Sequence, residues 1–488
     1  MLPARPEISR SLRLRTTAEE YVLEADGHDG ALRLQRSVTD ECVVTQLPPM
    51  SGYGELGETV PIFGVVGVVH LLSGPYILVV TGADVVGKLL DHDVFRVADV
   101  RVLPFAADLS ALPPARQEDE RLYLEMLRTF LSSKHLYFAY TTDLTTSLQE
   151  QARWSAEQQR SPIWRTADTR FFWNEALARP LTSVSGCDAF ILPIVLGFVS
   201  IAANVATRSG GQRCHLALLS RRSKHHAGTR YNTRGVGRDG QAANFVETEQ
   251  ILWSSTGGGG PTQLAAHLQT RGSAPVLWSQ PVDLRYNPAF HFADDLSMEA
   301  RAAFRAHVEE QRKRYGTQVL VSLLDTAGAE GTLQQTLSHH VATYNAELQG
   351  ADSSAAAAAA AAGSPLGGEA AVCLVDFDFH HLCRNMQYQN LSILTEQCEA
   401  HTRSHEFFEM ELRAERGTAS QSPAVVRRQS GCFRTNCKDA LDRTNVVQSL
   451  FAERFLVERL RGLGVLGAGE GLGDGGGHLA QAFQTRCV

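Results

Sequence analysis

Between residues 31 and 105 short runs rich in Val, Ile and Leu (CVVTQL, IFGVVGVVHLL, YILVVTG) alternate with Gly and Pro turns, a pattern that predicts strands. The period changes at 118–133. There Leu122, Leu124, Met126, Leu127 and Phe130 fall near helical spacing behind an acidic first turn, so a helix is predicted. From about residue 155 onward, strand-like runs (HLALLS, VCLVDFDF) alternate with helical stretches within 285–314, over 387–415 and over 444–461. The pattern predicts an α/β (overall α+β) chain with a β-rich N-terminal domain over 1–155 and an α/β domain over 156–461. A Gly-rich tail, 462–488, is expected to lack order.

The longest apolar run, Ala189 to Ala203, is about 15 residues long with Pro193 inside it. A bilayer span needs roughly 20 residues, so the run reads as buried strand or helix and no transmembrane segment is expected. The N-terminal MLPARPEISRSLRLR lacks the apolar centre of a signal peptide. Cys487 is penultimate, so the end is not a prenylation motif. Two stretches read as loops or insertions, STGGGGP at 255–261 and the Ala-rich GADSSAAAAAAAAGSPLGGEA at 350–370. Alanine favours helix, but a bare Ala tract has nothing to bury.

Composition narrows the class. A chain of 488 residues exceeds one ordinary core, and 43% hydrophobic with 20% charged residues is globular. A formal net charge of −7 argues against a general nucleic-acid binder, which needs excess Lys and Arg. The nine cysteines are scattered with no CxxC pair, which suits free thiols in a reducing compartment.

The informative chemistry lies in GCFRTNCKDALDRTNVVQS, which starts at Gly431. Cys437 and Arg443 are separated by five residues and followed by Thr444. Five residues make one tight loop whose amides point inward around a phosphate, here formed by Lys438, Asp439, Ala440, Leu441 and Asp442. The loop opens a predicted helix from Arg443 to about Arg461, with Val447, Leu450, Phe451 and Phe455 on its buried face. A helix N-terminus favours bound phosphate and thiolate alike, so the Cys437 thiol is expected well below its usual ~8.5. Arg443 would hold two phosphate oxygens bidentately. Thr444 would bond the sulfur, and Asp439 or Asp442 would protonate the leaving oxygen. The route is covalent through a phosphocysteine and needs no metal or cofactor. Spacing alone is weak, and a buried inert cysteine is the bland alternative.

The longer string RTNCxDxLDRTN resembles the signature of the Sac-domain (suppressor-of-actin) phosphoinositide phosphatases. Further blocks resemble that family in order: YFAYTTDLT (137–145), RFFWN (170–174), FILPIVLGFV (190–199), SRRSKHHAGTRYNTRGVGRDGQAANFVETEQ (220–250), PVLWSQ (275–280) and VDFDFHH (375–381). The resemblance covers about residues 20 to 450. It implies a non-catalytic N-terminal domain beside a catalytic α/β domain, with phosphatidylinositol monophosphates as usual substrates. The branch it looks most like acts on phosphatidylinositol 4-phosphate at the endoplasmic reticulum and Golgi. Relatives of that branch carry two C-terminal membrane spans and this chain shows none, so the expectation is either a shortened or partial form of such a protein or a peripheral one held by basic contacts on the cytosolic face of those membranes. Two positions depart from the family pattern. Ala440 stands where members usually have a second loop cysteine, which removes a thiol able to protect Cys437 as a disulfide. Lys438 replaces a usually uncharged residue; either it strengthens headgroup capture or its side chain points to solvent.

Other features are weighed against the same chemistry. Residues 213–238 hold seven basic side chains and no acidic one. Part of this stretch is expected to face anionic lipid or the inositol phosphate, with Arg221 and Arg222 preferred; the alternative pairs these arginines with Glu247 or Glu249. VDFDFHH places Asp376 and Asp378 like an aspartate-nucleophile phosphatase, but His380 stands where that motif wants Thr or Val. Asp378 or His380 orienting the Cys437 loop is the preferred reading. Trp173, Asn174 and Trp278 read as packing residues. Two classes remain: an active phosphoinositide phosphatase, favoured by the intact Cys437, Asp439 and Arg443 set, and a catalytically weak lipid-binding or scaffold protein on the same fold.

Overall fold

The computed structural model describes residues 8–28, 30–36, 43–47, 57–105, 110, 112–206, 213–228, 233–255, 262–281, 289–292, 297–350, 372–414, 421–475 and 478–487. The low-complexity stretches at 256–261 and 351–370 lie outside the described residues. The chain divides into two compact units, Met1–Ala203 with Glu415–Ser422 and Asn204–Ala414 with Pro423–Val488.

In the first unit β1 (Leu12–Thr16), β2 (Glu20–Ala25), β3 (Ala31–Gln35), β4 (Val44–Leu47) and β5 (Glu58–Ile62) form an antiparallel sheet in the order β4-β3-β2-β1-β5. Alternation fixes its faces: Leu12, Leu14, Leu23, Leu32 and Leu34 pack together, while Arg13 meets Asp26 at 2.6 Å on the outside. A second antiparallel set comprises β6 (Gly64–Leu71), β7 (Gly74–Leu89), β8 (His92–Pro104), β9 (Leu136–Phe138) and β10 (Val195–Ala206). The strands predicted over 31–105 and the buried apolar run are thus present. Asn174 ties this unit together from inside, donating to Val66 O (2.8 Å) and Leu192 O (3.0 Å) and accepting from Ile194 N (2.8 Å).

Helix α1 (Pro114–Leu131) occupies the predicted helical stretch, but its buried positions are Glu120, Leu124 and Leu131, whereas Leu122, Met126 and Phe130 are exposed. The reason is polar. The Glu120 carboxylate accepts from Leu72 N (2.8 Å), Ser73 Oγ and Tyr76 Oη (2.6 Å), which turns that face inward. Burial first, then the Glu120 bond, push the Tyr76 hydroxyl up to about 12. Helix α2 (Glu175–Thr182) packs on β6. There Gly67 at φ 139° lies so close to Leu177 that a Cβ would sit 2.3 Å from its carbonyl.

The second unit contains β11 (Arg213–Arg222), β12 (Val246–Ser255), β13 (Thr262–Ser273), β14 (Trp278–Ser279), β15 (His291–Phe292), α3 (Met298–Tyr315), β16 (Thr317–Ser322), α4 (Gly328–Leu348), β17 (Cys373–Asp376), α5 (Phe379–Leu382), α6 (Leu391–His405), β18 (Phe408–Ala414), β19 (Gln421–Arg427), β20 (Gly431–Cys437), α7 (Asp442–Gly462) and α8 (His478–Cys487). Its sheet runs β17-β16-β20-β13-β12-β11, with β18 on β13 and β19 on β18. The helix expected over 387–415 therefore ends at His405. Phe408, Met410 and Leu412 are buried alternately, a period of two that makes a strand. Within the Gly-rich tail α8 is helical, and its Phe483 is buried.

Strand β20 is the centre of this unit. All seven of its residues are buried, and it pairs in parallel with both β13 and β16. Helix α7 packs against it through Val447 and Phe451, with the Phe433 and Phe451 rings stacked at 4.4 Å. Burying one such ring contributes about 1.5–3 kcal/mol. Because β13, β20, β16 and β17 are mutually parallel, Ser273, Cys437, Ser322 and Asp376 all end at one edge of the sheet. In α/β sheets that C-terminal edge is where ligands bind.

Candidate functional site

The chain leaves β20 at Cys437 and enters α7 at Asp442. Four residues between them reverse direction with Ala440 in left-handed backbone at φ 56°. Side chains from β13 hold the loop carbonyls outward. Ser273 Oγ donates to Lys438 O (2.7 Å), and Arg271 Nη1 donates to Ala440 O (3.1 Å) and Leu441 O (3.4 Å). With carbonyls held out, an amide turns in, and Ala440 N–H donates to Cys437 Sγ at 3.1 Å. Thr444 Oγ1 donates to Leu441 O (2.9 Å) and accepts from Arg271, so it braces the helix start.

The sulfur has no exposed surface, and the thiol donates to Asp439 Oδ1 at 3.4 Å. Burial pushes the thiol up; Arg443 pulls it down, Asp439 pushes it up, and the amides of Asp439 and Ala440 pull it down. The net direction is upward, opposite to the depressed thiol expected from the loop alone. Burial, weighed from sequence only as the alternative of an inert cysteine, outweighs the amides and the guanidinium.

Arg443 is committed on one edge. Its Nη1 donates to Leu323 O (2.8 Å) and Glu330 Oε2 (2.8 Å), and its Nη2 to Glu330 Oε1 (3.2 Å). Asp325 Oδ1 lies 3.5 Å from Nη1. Among the described residues nothing accepts from Nε, so the Nε–Nη2 edge keeps one free fork. Glu330 also takes Lys438 Nζ at 3.1 Å, so the lysine turns inward onto a carboxylate and not to solvent. Burial would raise the Glu330 carboxyl, but Arg443 and Lys438 outweigh it and hold it below its ordinary value.

The supporting residues reach the same edge. Asp378 accepts from Thr326 N (2.9 Å), Thr326 Oγ1 (2.7 Å) and His381 N (3.0 Å), fastening the loop after β16 to the start of α5. With both oxygens engaged, Asp378 is a brace, which disfavours its use as a nucleophile. His380 Nδ1 lies 2.8 Å from Asp325 Oδ1, and Asp325 in turn faces Arg443.

Residues 63–384 match the family model for the SacI homology domain (Syja_N). The chain belongs to the SacI-homology, or Sac, family. It is 36% identical to the Drosophila melanogaster phosphatidylinositol-3-phosphatase SAC1 over 94% of this chain and 69% of the relative. It is 32% identical to the zebrafish (Danio rerio) phosphatidylinositol-3-phosphatase SAC1-B over 94% of this chain and 71% of the relative. It is 32% identical to the Arabidopsis thaliana phosphoinositide phosphatase SAC7 over 96% and 71% respectively. No helix among the described residues is long and apolar enough to cross a membrane.

The basic stretch of this Sac chain divides in two. Arg221 is buried and pairs with Glu247 (2.9 Å) and Glu249 (2.6 Å), the alternative weighed from sequence. Arg222 donates to Gly228 O (2.7 Å) and Asn244 Oδ1 (2.9 Å). Burial lowers the Arg271 guanidinium to about 10, Cys437 opposes this, and the nearby charge of Arg222 adds to the lowering. Arg222 therefore stands close to the loop's own brace. Arg271, Ser273, Asp325 and Glu330 escaped the sequence reading, because only the parallel order of the strands brings their segments to Cys437.

Proposed function

We propose that this Sac-family chain hydrolyses the phosphomonoester of phosphatidylinositol phosphates through a phosphocysteine on Cys437. One observation carries the reading: a single short loop at the C-terminal edge of the sheet holds Cys437 Sγ, an inward amide at 3.1 Å and a guanidinium with a free fork. Phosphate binds the free edge of Arg443 and the loop amides of 438–442. Asp439, 3.4 Å from the sulfur, takes the thiol proton. The thiolate then forms an S–P bond as the P–O bond to inositol breaks in line, and the leaving oxygen gains a proton. Water cleaves the S–P bond, releasing inorganic phosphate and restoring the thiol. Arg222 and Lys438 supply positive charge beside the loop. No metal or cofactor takes part.

Phosphatidylinositol 4-phosphate is the first substrate proposed and the 3-phosphate the second, the latter supported by the names of the fly and zebrafish relatives. The chain is proposed to work peripherally on the cytosolic face of endoplasmic reticulum or Golgi membranes. The test is phosphate release from short-chain lipids of each headgroup, with chelator present, comparing wild type with Cys437→Ser. Release that survives Cys437→Ser rejects the covalent route.

One observation favours a second reading, a weakly catalytic Sac-fold lipid binder: the sulfur is fully buried with a raised thiol. Liposome binding without phosphate release from any headgroup supports that reading.

A further inference from the structure

In-line displacement puts the leaving oxygen on the far side of phosphorus from the attacking sulfur. That stereochemistry sorts the acids near the loop. Asp439 touches the sulfur at 3.4 Å, so it stands on the entering side and cannot reach the departing oxygen. The acid must come from the mouth of the site, past the guanidinium that holds the phosphate.

His380 stands at that edge of the sheet and reaches the clamp through Asp325. It follows the C-terminal end of β17, at the same edge of the sheet as Cys437, and its side chain is 59% exposed. Its Nδ1 lies 2.8 Å from Asp325 Oδ1, and the same oxygen lies 3.5 Å from Arg443 Nη1. One carboxylate therefore spans the imidazole and the phosphate clamp. Asp325 is itself fixed, because the next residue, Thr326, gives both its N–H and its hydroxyl to Asp378. A carboxylate on Nδ1 sets the ring's orientation and leaves Nε2 to carry the transferable proton.

We propose that His380 is the acid that protonates the leaving inositol oxygen, oriented by Asp325. The inference rests on the covalent reading above. As the P–O bond breaks, imidazolium Nε2 gives its proton to the departing oxygen and inositol leaves as the neutral alcohol. In the second step the attacking water loses its proton to solvent, Asp439 returns its proton to the departing sulfur, and the exposed imidazole is reprotonated from solvent.

The test is leaving-group dependence, which a purely structural role would not move. A sugar alkoxide needs an acid; a nitrophenolate does not. General acid catalysis contributes about 10²–10⁴-fold. His380→Ala and His380→Gln are therefore expected to lower kcat on short-chain phosphatidylinositol 4-phosphate by about 10²-fold or more, while p-nitrophenyl phosphate turnover stays within about threefold of wild type. Asp325→Asn is expected to lose selectively in the same direction. Equal loss on both substrates, or full retention on both, overturns the proposal for His380. The selective loss in Asp442→Asn in place of His380→Ala also overturns it, since Asp442 would then be the acid. Turnover of both substrates that survives Cys437→Ser removes the covalent reading, and the inference falls with it.

Discussion

Glu330 and Arg443 form a two-point ion pair, Oε2 to Nη1 at 2.8 Å and Oε1 to Nη2 at 3.2 Å. The pair occupies one edge of the guanidinium and fixes the direction of the other. A planar fork held this way is pre-organised to take two oxygens of an anion without first losing side-chain freedom. Glu330→Gln keeps the size but turns an amide group toward the guanidinium, so the free edge loses its aim. Such a misplacement costs about 10²-fold in kcat/KM, and Glu330→Asp is expected to recover part of it. Wild-type turnover by Glu330→Gln shows that Arg443 needs no such partner. Stability carries its own pH signature. The folded carboxyl lies below its ordinary value, so the pair stabilises fully above the unfolded value and its contribution fades as pH falls through the folded one. The Tm gap between wild type and Glu330→Gln is thus widest near neutral pH and closes as pH falls through the folded value, below the ordinary carboxyl range.

Cys437 supplies a second prediction. Its thiol is raised, chiefly by burial, so the empty protein holds a thiol at neutral pH. Alkylation by iodoacetamide, read at Cys437 by mass spectrometry, is expected to be slower than for an exposed cysteine and to keep rising beyond the ordinary thiol range. Cys398 and Cys432 do not confuse the reading, since burial pushes each up to about 12. Glu330→Gln leaves the Arg443 charge balanced only by Asp325 and moves the titration to lower pH. Rapid wild-type alkylation already at pH 6 contradicts this account.

The contrast between Cys437 and Glu330 explains what the chain discloses without coordinates. Cys437, Arg443 and Thr444 are legible because a loop and the helix it opens are contiguous, so spacing encodes their geometry. The buried face of α7 is legible for the same reason. Glu330, Asp325 and Arg271 come from segments more than a hundred residues away, and nothing local in LLDTAGAEG or HLQTRGS marks them. They reach Cys437 only because β16 and β13 flank β20 in parallel. The thiol's direction fails for a related reason. The loop predicts amides, a guanidinium and the Asp439 carboxylate, but burial of the sulfur, the largest cause, is a tertiary fact. In α1, apolar spacing predicts the helix, yet three hydrogen bonds to Glu120 choose the buried face.

Arg271 tests whether the loop is held from outside. It binds the carbonyls of Ala440 and Leu441, which keeps the Ala440 amide on the sulfur. Arg271→Ala frees those carbonyls and lets Ala440 leave its left-handed backbone. The expected result is a fall in kcat of about 10²-fold, the size seen when fixed donors lose their aim. Arg271→Lys, a point charge without the fork, restores only part of it. Unchanged kcat in Arg271→Ala means that the loop holds its shape unaided.

Arg221 separates a lipid contact from an internal brace. Its guanidinium is buried between Glu247 and Glu249, and Glu247 also accepts from Tyr315 Oη at 2.5 Å. Arg221→Ala leaves two carboxylates buried with their main cation gone, and breaking a buried pair this way costs about 3–5 kcal/mol. The expected outcome is a large drop in Tm, with KM for the lipid unchanged in the fraction that stays folded at low temperature. Arg222 is only half-buried and is bonded to a carbonyl and an amide oxygen, not to a carboxylate. Arg222→Ala is accordingly expected to raise KM for the lipid and to affect Tm far less. The reverse pattern, a raised KM with an unmoved Tm in Arg221→Ala, makes Arg221 a headgroup contact and its pairing with the two glutamates incidental.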